Sequence, residues 1–254
     1  MIVLKNYNEI NLMRQAGKVV ADVLALLTEN ISPGVTTGHL NSLAEEQCRK
    51  LRVTPVFKDY PNSRGGKAFS GAICTSINDE VVHGIPGSRI LESGSIISID
   101  FGIIKDGYAG DAAITLAVGE VEPQVEKLLS CTHEALMCGI GQAIAGNRLG
   151  NISNAIQSHA EKHGFSVVRD FVGHGIGQKM HEDPPVPNYG QIGRGPVLQA
   201  GMTLAIEPML NIGTYKVYTK LDEWTVATQD GQFSAHFEHT IAITESGPEI
   251  LTLQ

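Results

Sequence analysis

The stretch SIDFGIIKDGYAGDAAIT, residues 98–115, predicts a β-hairpin with two acidic residues inside its apolar strands. Its Asp-Gly pair at positions 106 and 107 is the strongest short signal for a two-residue hairpin loop. With these two residues as the loop, Asp100 faces Ala113 and Gly102 faces Asp111. Because side chains alternate along a strand, Asp100 and Asp111 then share one face as diagonal neighbours about 7 Å apart. We therefore expect two carboxylates to converge at a buried place.

Two further acids and one histidine fit the same site. Glu207 ends the apolar run MTLAIE, and Glu238 lies in the strand-like SAHFEHTIAIT. Four buried carboxylates cannot all ionise without cations, because like charges raise the pKa of each group. His174, between glycines in VGHGIG, is a candidate neutral imidazole ligand. Carboxylate oxygens with one imidazole favour manganese, iron or cobalt and do not exclude zinc.

An internal repeat relates the two parts of the chain. LESGSIISID (91–100) and LQAGMTLAIE (198–207) share a leucine, a glycine three residues later and a final isoleucine-acid pair. A His-Gly-Ile sequence precedes each segment, at His83 and at His174. GVTTGHLNSLAEEQCRKL, which starts at Gly34, aligns with GNRLGNISNAIQSHAEKH, which starts at Gly146. This order predicts a single domain, 1–254, built from two related halves at roughly 1–118 and 119–254.

The repeat also predicts the fold class. Each half begins with a long amphipathic pattern, at 8–29 and at 122–145, followed by a second helix and then by strands. Gly34 and Gly146 follow the first helix of each half, where a left-handed C-cap is expected. Helices in pairs and strands in blocks predict an α+β fold, in which helices cover one face of a mainly antiparallel sheet.

Composition excludes several classes of function. The chain has 254 residues, of which 42% are hydrophobic and 18% are charged, a composition typical of a soluble globular protein. Its net charge of -8 argues against a nucleic-acid partner. We see no signal peptide and no apolar run long enough to span a membrane, and therefore expect a cytoplasmic protein. No P-loop, nucleophile elbow or Rossmann glycine pattern is present.

The remaining cysteines and histidines have simple expectations. The four cysteines form no CxxC pair, so we expect reduced thiols. His159 and His163 fall on a helix and are expected to be solvated or to act as caps. His236 and His239 flank Glu238 and could support it.

Taken together, five motifs resemble the motif set of type I methionine aminopeptidases over nearly the whole chain: NDEVVHGIPG, SIDFGIIKDGYAGDAAIT, FVGHGIGQKMHEDPPVPNYG, GMTLAIEPML and DEWTVATQDGQFSAHFEHTIAIT. The resemblance implies the pita-bread fold, with a curved sheet and two pseudo-twofold halves. It implies two divalent ions per chain (cobalt, manganese, iron or zinc). The implied ligands are Asp100, Asp111, His174, Glu207 and Glu238, with Asp111 and Glu238 bridging both ions.

The resemblance also implies an activity, the removal of the N-terminal methionine from new proteins by a hydroxide that bridges two metals. Glu207 would shuttle the proton, His83 would lie near the substrate amide, and His181 would polarise the scissile carbonyl. Phe69, Cys74 and Trp224, with the two histidines, would bind substrate. The partners would be polypeptides or peptides that start with methionine. We expect a monomer and no membrane partner, and leave docking at the ribosome open.

One region departs from the family pattern and leaves rivals to weigh. FKDYPNSRGGKAFSGAICTS (57–76) is longer than the family usually has, so the role of the insertion at 58–71 is open. An X-Pro exopeptidase of the same fold is the nearest alternative. A catalytically silent interaction module is the other, although all five ligand positions are filled.

Overall fold

The computed structural model describes residues 1–62 and 65–254, so that Ser63 and Arg64 of the insertion lie outside it. Two pairs of helices occur in this part of the chain: α1 (Tyr7–Glu29), α2 (Thr37–Leu51), α3 (Pro123–Ile140) and α4 (Leu149–Lys162). Of these, none is long and apolar enough to cross a membrane. The helix pairs fall where the repeat predicts them.

Fifteen strands accompany the helices in the described ranges: β1 (Thr54–Pro55), β2 (Cys74–Ile77), β3 (Glu80–Val82), β4 (Ser95–Lys105), β5 (Tyr108–Val118), β6 (Ser166–Val167), β7 (Gly173–Gly175), β8 (Glu182–Val186), β9 (Thr203–Ile206), β10 (Met209–Asn211), β11 (Val217–Thr219), β12 (Val226–Thr228), β13 (Ser234–His236), β14 (Glu238–Thr244) and β15 (Gly247–Ile250). The main sheet has the order β1-β4-β5-β14-β9-β7-β8, with β2 added to β4 and β15 added to β14. Two small sheets, β13-β10-β6 and β11-β12-β3, complete the fold. The strand pairs in the described part of the chain are antiparallel, in agreement with the prediction of a mainly antiparallel sheet.

The β4–β5 hairpin has the register expected from its Asp-Gly pair. Asp106 and Gly107 form the loop with φ of 49° and 82°, as a two-residue turn with positive φ at both positions requires. Asp100 pairs with Ala113, and Gly102 pairs with Asp111. The prediction that the two aspartates share a face is confirmed.

The two faces of β4 have different surroundings. Ile97, Ile99, Phe101 and Ile103 pack into one core with the apolar side of α1 and α2. The alternating residues between them point to the opposite face and include Asp100. The first helix pair therefore covers one face of the sheet and leaves the acids on the other.

Two glycines allow α1 to approach the sheet closely. A Cβ at Gly110 of β5 would lie 2.8 Å from the backbone nitrogen of Gly17.

Helix α1 begins with a capping box, in which the Asn6 side chain accepts from the N–H of Glu9, and the Glu9 carboxylate accepts from the N–H of Asn6. The start and the packing of α1 are thus both fixed by local sequence.

Matching contacts occur in the two halves. The N–H of Gly34 donates to the carbonyl of Leu91 at 2.8 Å, and the N–H of Gly146 donates to that of Leu198 at 2.9 Å. The φ angles of the two glycines are 95° and 94°. Their predicted position was wrong in one respect: the helices end earlier, so the glycines lie in the turns between helices and not at C-caps. The matching contacts support the proposal of two related halves.

Candidate metal centre and substrate cavity

One row of cross-strand partners carries two of the predicted acids. Cys74 pairs with Asp100, Asp100 with Ala113, and Ala113 with Glu238, across β2, β4, β5 and β14. Cross-strand partners point to the same face of a sheet. Asp111 lies two residues before Ala113 and so shares this face. The sheet therefore collects three carboxylates from three neighbouring strands.

A second row brings the predicted histidine to the same face. His174 of β7 pairs with Ala205 of β9, which pairs with Thr240 of β14. Because Thr240 lies two residues after Glu238, the imidazole of His174 is on the acidic face. Glu207 follows directly after β9 and completes the group.

The distances confirm that these groups converge. The Nε2 atom of His174 lies 3.9 Å from Oδ2 of Asp111 and 3.7 Å from Oε1 of Glu207. Ligand atoms of Asp111, His174 and Glu238 all lie within 4.8 Å of one another. The sequence did not give these distances, since they depend on how β7 and β9 pair with β14.

The tautomer of His174 leaves its lone pair directed at the acids. Its Nδ1 donates to the carbonyl of Gly175 at 2.8 Å, so Nε2 carries no proton in the neutral ring. Burial lowers the pKa of His174 to about 4, which keeps the ring neutral near pH 7. A lone pair that faces carboxylates is unfavourable unless a cation lies between them.

The carboxylates themselves require positive charge. Burial raises the pKa of Asp111 to about 7. Burial, together with neighbouring negative charge, holds the pKa values of Asp100, Glu207 and Glu238 well above their usual range. One buried oxygen from each of three carboxylates has no hydrogen-bond partner among the described residues: Oδ1 of Asp100, Oδ1 of Asp111 and Oε1 of Glu238. These unpaired oxygens and the free imidazole nitrogen fit divalent cations.

The acidic group lies at one side of a cavity of about 300 Å³. All ten residues predicted for the site line this cavity: Phe69, Cys74, His83, Asp100, Asp111, His174, His181, Glu207, Trp224 and Glu238. Their assigned roles remain a prediction, but their positions agree with a single site. Burial raises the pKa of the Cys74 thiol well above its usual value, so this residue presents a neutral, weakly polar wall.

Two further histidines are held near the acids by aromatic neighbours. The ring of His83 lies 5.5 Å from that of Phe171 and 6.4 Å from that of Trp224. The ring of His181 lies 4.4 Å from that of His174, and its Nδ1 is 3.1 Å from the hydroxyl of Tyr60. Burial lowers the pKa of both His83 and His181, so both rings are neutral hydrogen-bonding groups near pH 7.

The described part of the insertion at 58–71 forms a wall of the cavity. The indole nitrogen of Trp224 donates to the carbonyl of Lys67 at 2.8 Å, and its ring meets the edge of Phe69 at 5.3 Å. Backbone hydrogen bonds join Phe69 to Tyr60 and Asp59. The longer segment therefore supplies four residues that line the cavity, Tyr60, Pro61, Asn62 and Phe69, and an anchor for Trp224.

Some residues of the site had no predicted role. Phe57, Phe171, Thr219 and Val226 line the cavity. The aromatic position of Phe171, three residues before His174, was the only local signal for it. The Nε2 atom of His236 lies 3.7 Å from Oε2 of Glu207.

Comparison with known proteins agrees with this geometry. Residues 11–245 match the model of metallopeptidase family M24. The chain belongs to this family. A methionine aminopeptidase of Clostridium acetobutylicum is 54% identical over 254 residues, which cover 100% of this chain and 99% of that protein. The crystal structure of a methionine aminopeptidase from Thermotoga maritima superposes with a TM-score of 0.96 at 46% identity, covering 100% of both chains.

Solved structures of lower sequence identity also have a similar fold. A prolidase from Pyrococcus furiosus has a TM-score of 0.78 at 19% identity, and the match covers 99% of this chain but 66% of that one. The predicted resemblance to type I methionine aminopeptidases and the predicted pita-bread fold are both confirmed. Membership of a metallopeptidase family also implies divalent metal ions.

Proposed function

We propose that this protein is a metal-dependent aminopeptidase that removes the N-terminal methionine from polypeptides and peptides. The observation that carries this proposal is the convergence of four carboxylates and a neutral imidazole beside an aromatic cavity. Full-length relatives with about half of their residues identical are methionine aminopeptidases, which supports the same substrate class. No other family is needed to account for the site.

We propose that the metal ligands are Asp100, Asp111, His174, Glu207 and Glu238. Two divalent ions would neutralise the four carboxylates, and cobalt, manganese, iron and zinc all suit this donor set. Such ions would activate water and polarise a carbonyl group.

The side chains around this centre can carry the proton transfers. Glu207 contacts His174 and His236, and its raised pKa suits a group that accepts a proton from water and returns it to the leaving amine. When the Tyr60 hydroxyl donates to Nδ1 of His181, the proton of the neutral ring lies on Nε2. That N–H can donate to the scissile carbonyl as negative charge develops.

The cavity walls can select the substrate. Phe69, Trp224 and the neutral thiol of Cys74 offer an apolar surface for an unbranched thioether side chain. His83, fixed between Phe171 and Trp224, can bond to the substrate amide. These residues bind and orient the first residue of the substrate.

We further propose that the enzyme acts in the cytoplasm, as a monomer, on nascent polypeptides. The substrate class is supported by relatives that are methionine aminopeptidases.

The substrate class can be tested with a small panel of peptides. Protein stripped of metal by a chelator is reloaded under anaerobic conditions with Mn, Fe(II), Co or Zn, one at a time, and given Met-Ala-Ser, Leu-Ala-Ser or Ala-Pro. We expect release of methionine from Met-Ala-Ser only after reloading. Cleavage of Ala-Pro instead would replace the proposal with an X-Pro exopeptidase, and metal binding without any turnover would favour an interaction module.

A further inference from the structure

A second group of metal-binding side chains lies between α3 and α4, and none of its members lines the cavity. Cys131 and Glu134 are three residues apart on α3. His159 lies on α4, and His163, four residues later, is the C-cap residue directly after that helix. Spacings of three and four place side chains on one face of a helix. Each helix therefore presents two potential ligands to the other.

Three of these four groups converge, and the fourth contacts one of them. The sulfur of Cys131 and one ring nitrogen from each of His159 and His163 lie within 4.8 Å of one another. Nε2 of His159 is also 3.0 Å from Oε2 of Glu134. Around a tetrahedral ion with bonds of about 2.0–2.3 Å, neighbouring ligand atoms are roughly 3.3–3.8 Å apart. The three converging groups are within reach of one ion, and the exposed carboxylate of Glu134, in contact with His159, can supply a fourth donor.

A ring nitrogen of each histidine also has a partner other than the potential ligand atoms. Nδ1 of His163 donates to the carbonyl of His159 at 2.8 Å, so Nε2 of the neutral ring keeps its lone pair. Nδ1 of His159 lies 3.6 Å from the sulfur of Cys138. In metal sites, a partner on the second nitrogen fixes the tautomer and orients the ring.

We propose that Cys131, Glu134, His159 and His163 form a separate metal site that joins α3 to α4. One thiolate, two imidazoles and one carboxylate suit zinc and related borderline ions. Cys138 is not a ligand of the same ion, because seven residues of helix separate it from Cys131 by about 10.5 Å along the axis. The same separation excludes a disulfide between the two cysteines.

Access and charge are consistent with this site. The side chain of Glu134 is 57% exposed and that of His159 is 18% exposed, so an ion can enter from solvent. Burial raises the pKa of the Cys131 thiol to about 11, and a bound cation would supply the charge that stabilises its thiolate. Without an ion, Glu134 and His159 form only an exposed polar contact.

Cobalt can report this site independently of enzyme activity. A thiolate bound to Co(II) gives a near-ultraviolet charge-transfer absorption, whereas the ligands proposed for the cavity include no thiolate. We expect this absorption when Co(II) is added to the wild-type protein, to C74S, which removes the cavity thiol, and to D111N, which weakens the cavity site. We expect Cys131→Ser to lose it. Absence from the wild type, loss in D111N or C74S, or persistence in Cys131→Ser would overturn the proposal.

His163→Gln provides a second test, should the buried Cys131→Ser substitution prevent folding. Circular dichroism checks that this variant is folded. We expect Co(II) to bind at the thiolate-reporting site at least ~10-fold more weakly, because one imidazole is lost. Unchanged affinity, measured by titration of the charge-transfer absorption, would contradict the assignment.

Discussion

Asp100 and Asp111 lie diagonally opposite each other on one hairpin, because Asp100 pairs with Ala113 and Asp111 pairs with Gly102. One more residue in the loop would place the two carboxylates on opposite faces of the sheet. The two-residue turn at Asp106 and Gly107 therefore decides whether a metal site can exist. Glu238 joins the same row through Ala113, which links the hairpin to the second half of the chain.

Asp111→Ala should abolish both metal binding and activity. The change removes a carboxylate that lies within 4.8 Å of the ligand atoms of both His174 and Glu238, and we expect kcat/KM to fall by more than ~10³-fold. Metal content after dialysis and methionine release are the measurements. Asp22→Ala, at a half-exposed position on α1, is the matched control and should leave both unchanged. Retained turnover by Asp111→Ala would refute the site.

His181→Ala should slow catalysis while leaving the bound metal in place. Loss of a donor to the developing oxyanion costs about 10²–10³-fold in kcat. Tyr60→Phe removes only the hydroxyl that contacts Nδ1 of His181, and we expect a smaller loss of ~3–10-fold. Steady-state kinetics on Met-Ala-Ser with metal analysis would check both. An unchanged kcat for Tyr60→Phe would contradict the proposal that its hydroxyl fixes the tautomer of His181.

Trp224→Ala should raise KM without changing metal content. The indole supports Phe69 through an edge contact worth about 0.5–1.5 kcal/mol and holds the insertion through Lys67. We expect a rise in KM of roughly 5–20-fold. Tyr218→Ala, an exposed aromatic residue outside the cavity, is the control. An unchanged KM for Trp224→Ala would show that this wall does not contact substrate.

The sequence predicted much of this site for a specific physical reason. Asp100, Asp111 and Glu238 stand in or beside strands, where period-two alternation and a two-residue turn determine direction. The distances from His174 to the acids could not be predicted, because they depend on the pairing of short strands far apart in the chain. Phe171 was missed because a single aromatic residue in a loop has no periodic signal. The wall formed by Tyr60 and Phe69 depends on loop hydrogen bonds that composition does not encode.

Lys5→Met should destabilise the fold by leaving a buried acid unpaired. Nζ of Lys5 lies 2.6 Å from Oε2 of Glu182, and the two side chains are 4% and 14% exposed. Removing one partner of a buried pair costs about 3–5 kcal/mol. Urea unfolding would measure the loss.

The double variant Lys5→Met with Glu182→Gln supplies the control for this ion pair. Glutamine keeps an acceptor for the N–H of Lys179 but carries no charge. We expect the double variant to be more stable than Lys5→Met alone, because no buried charge is left unpaired. Lys5→Met and Glu182→Gln are also measured singly. If the loss of stability in the double variant equals the sum of the two single losses, the two side chains do not interact.

The most direct test of the metal centre is anomalous diffraction from crystals grown with Mn²⁺. We predict two anomalous peaks, each within about 2.0–2.3 Å of an oxygen of both Asp111 and Glu238, with His174 bound to one of them. Mn²⁺ peaks elsewhere in the crystal, with no peak between these two carboxylates, would contradict the proposed metal centre.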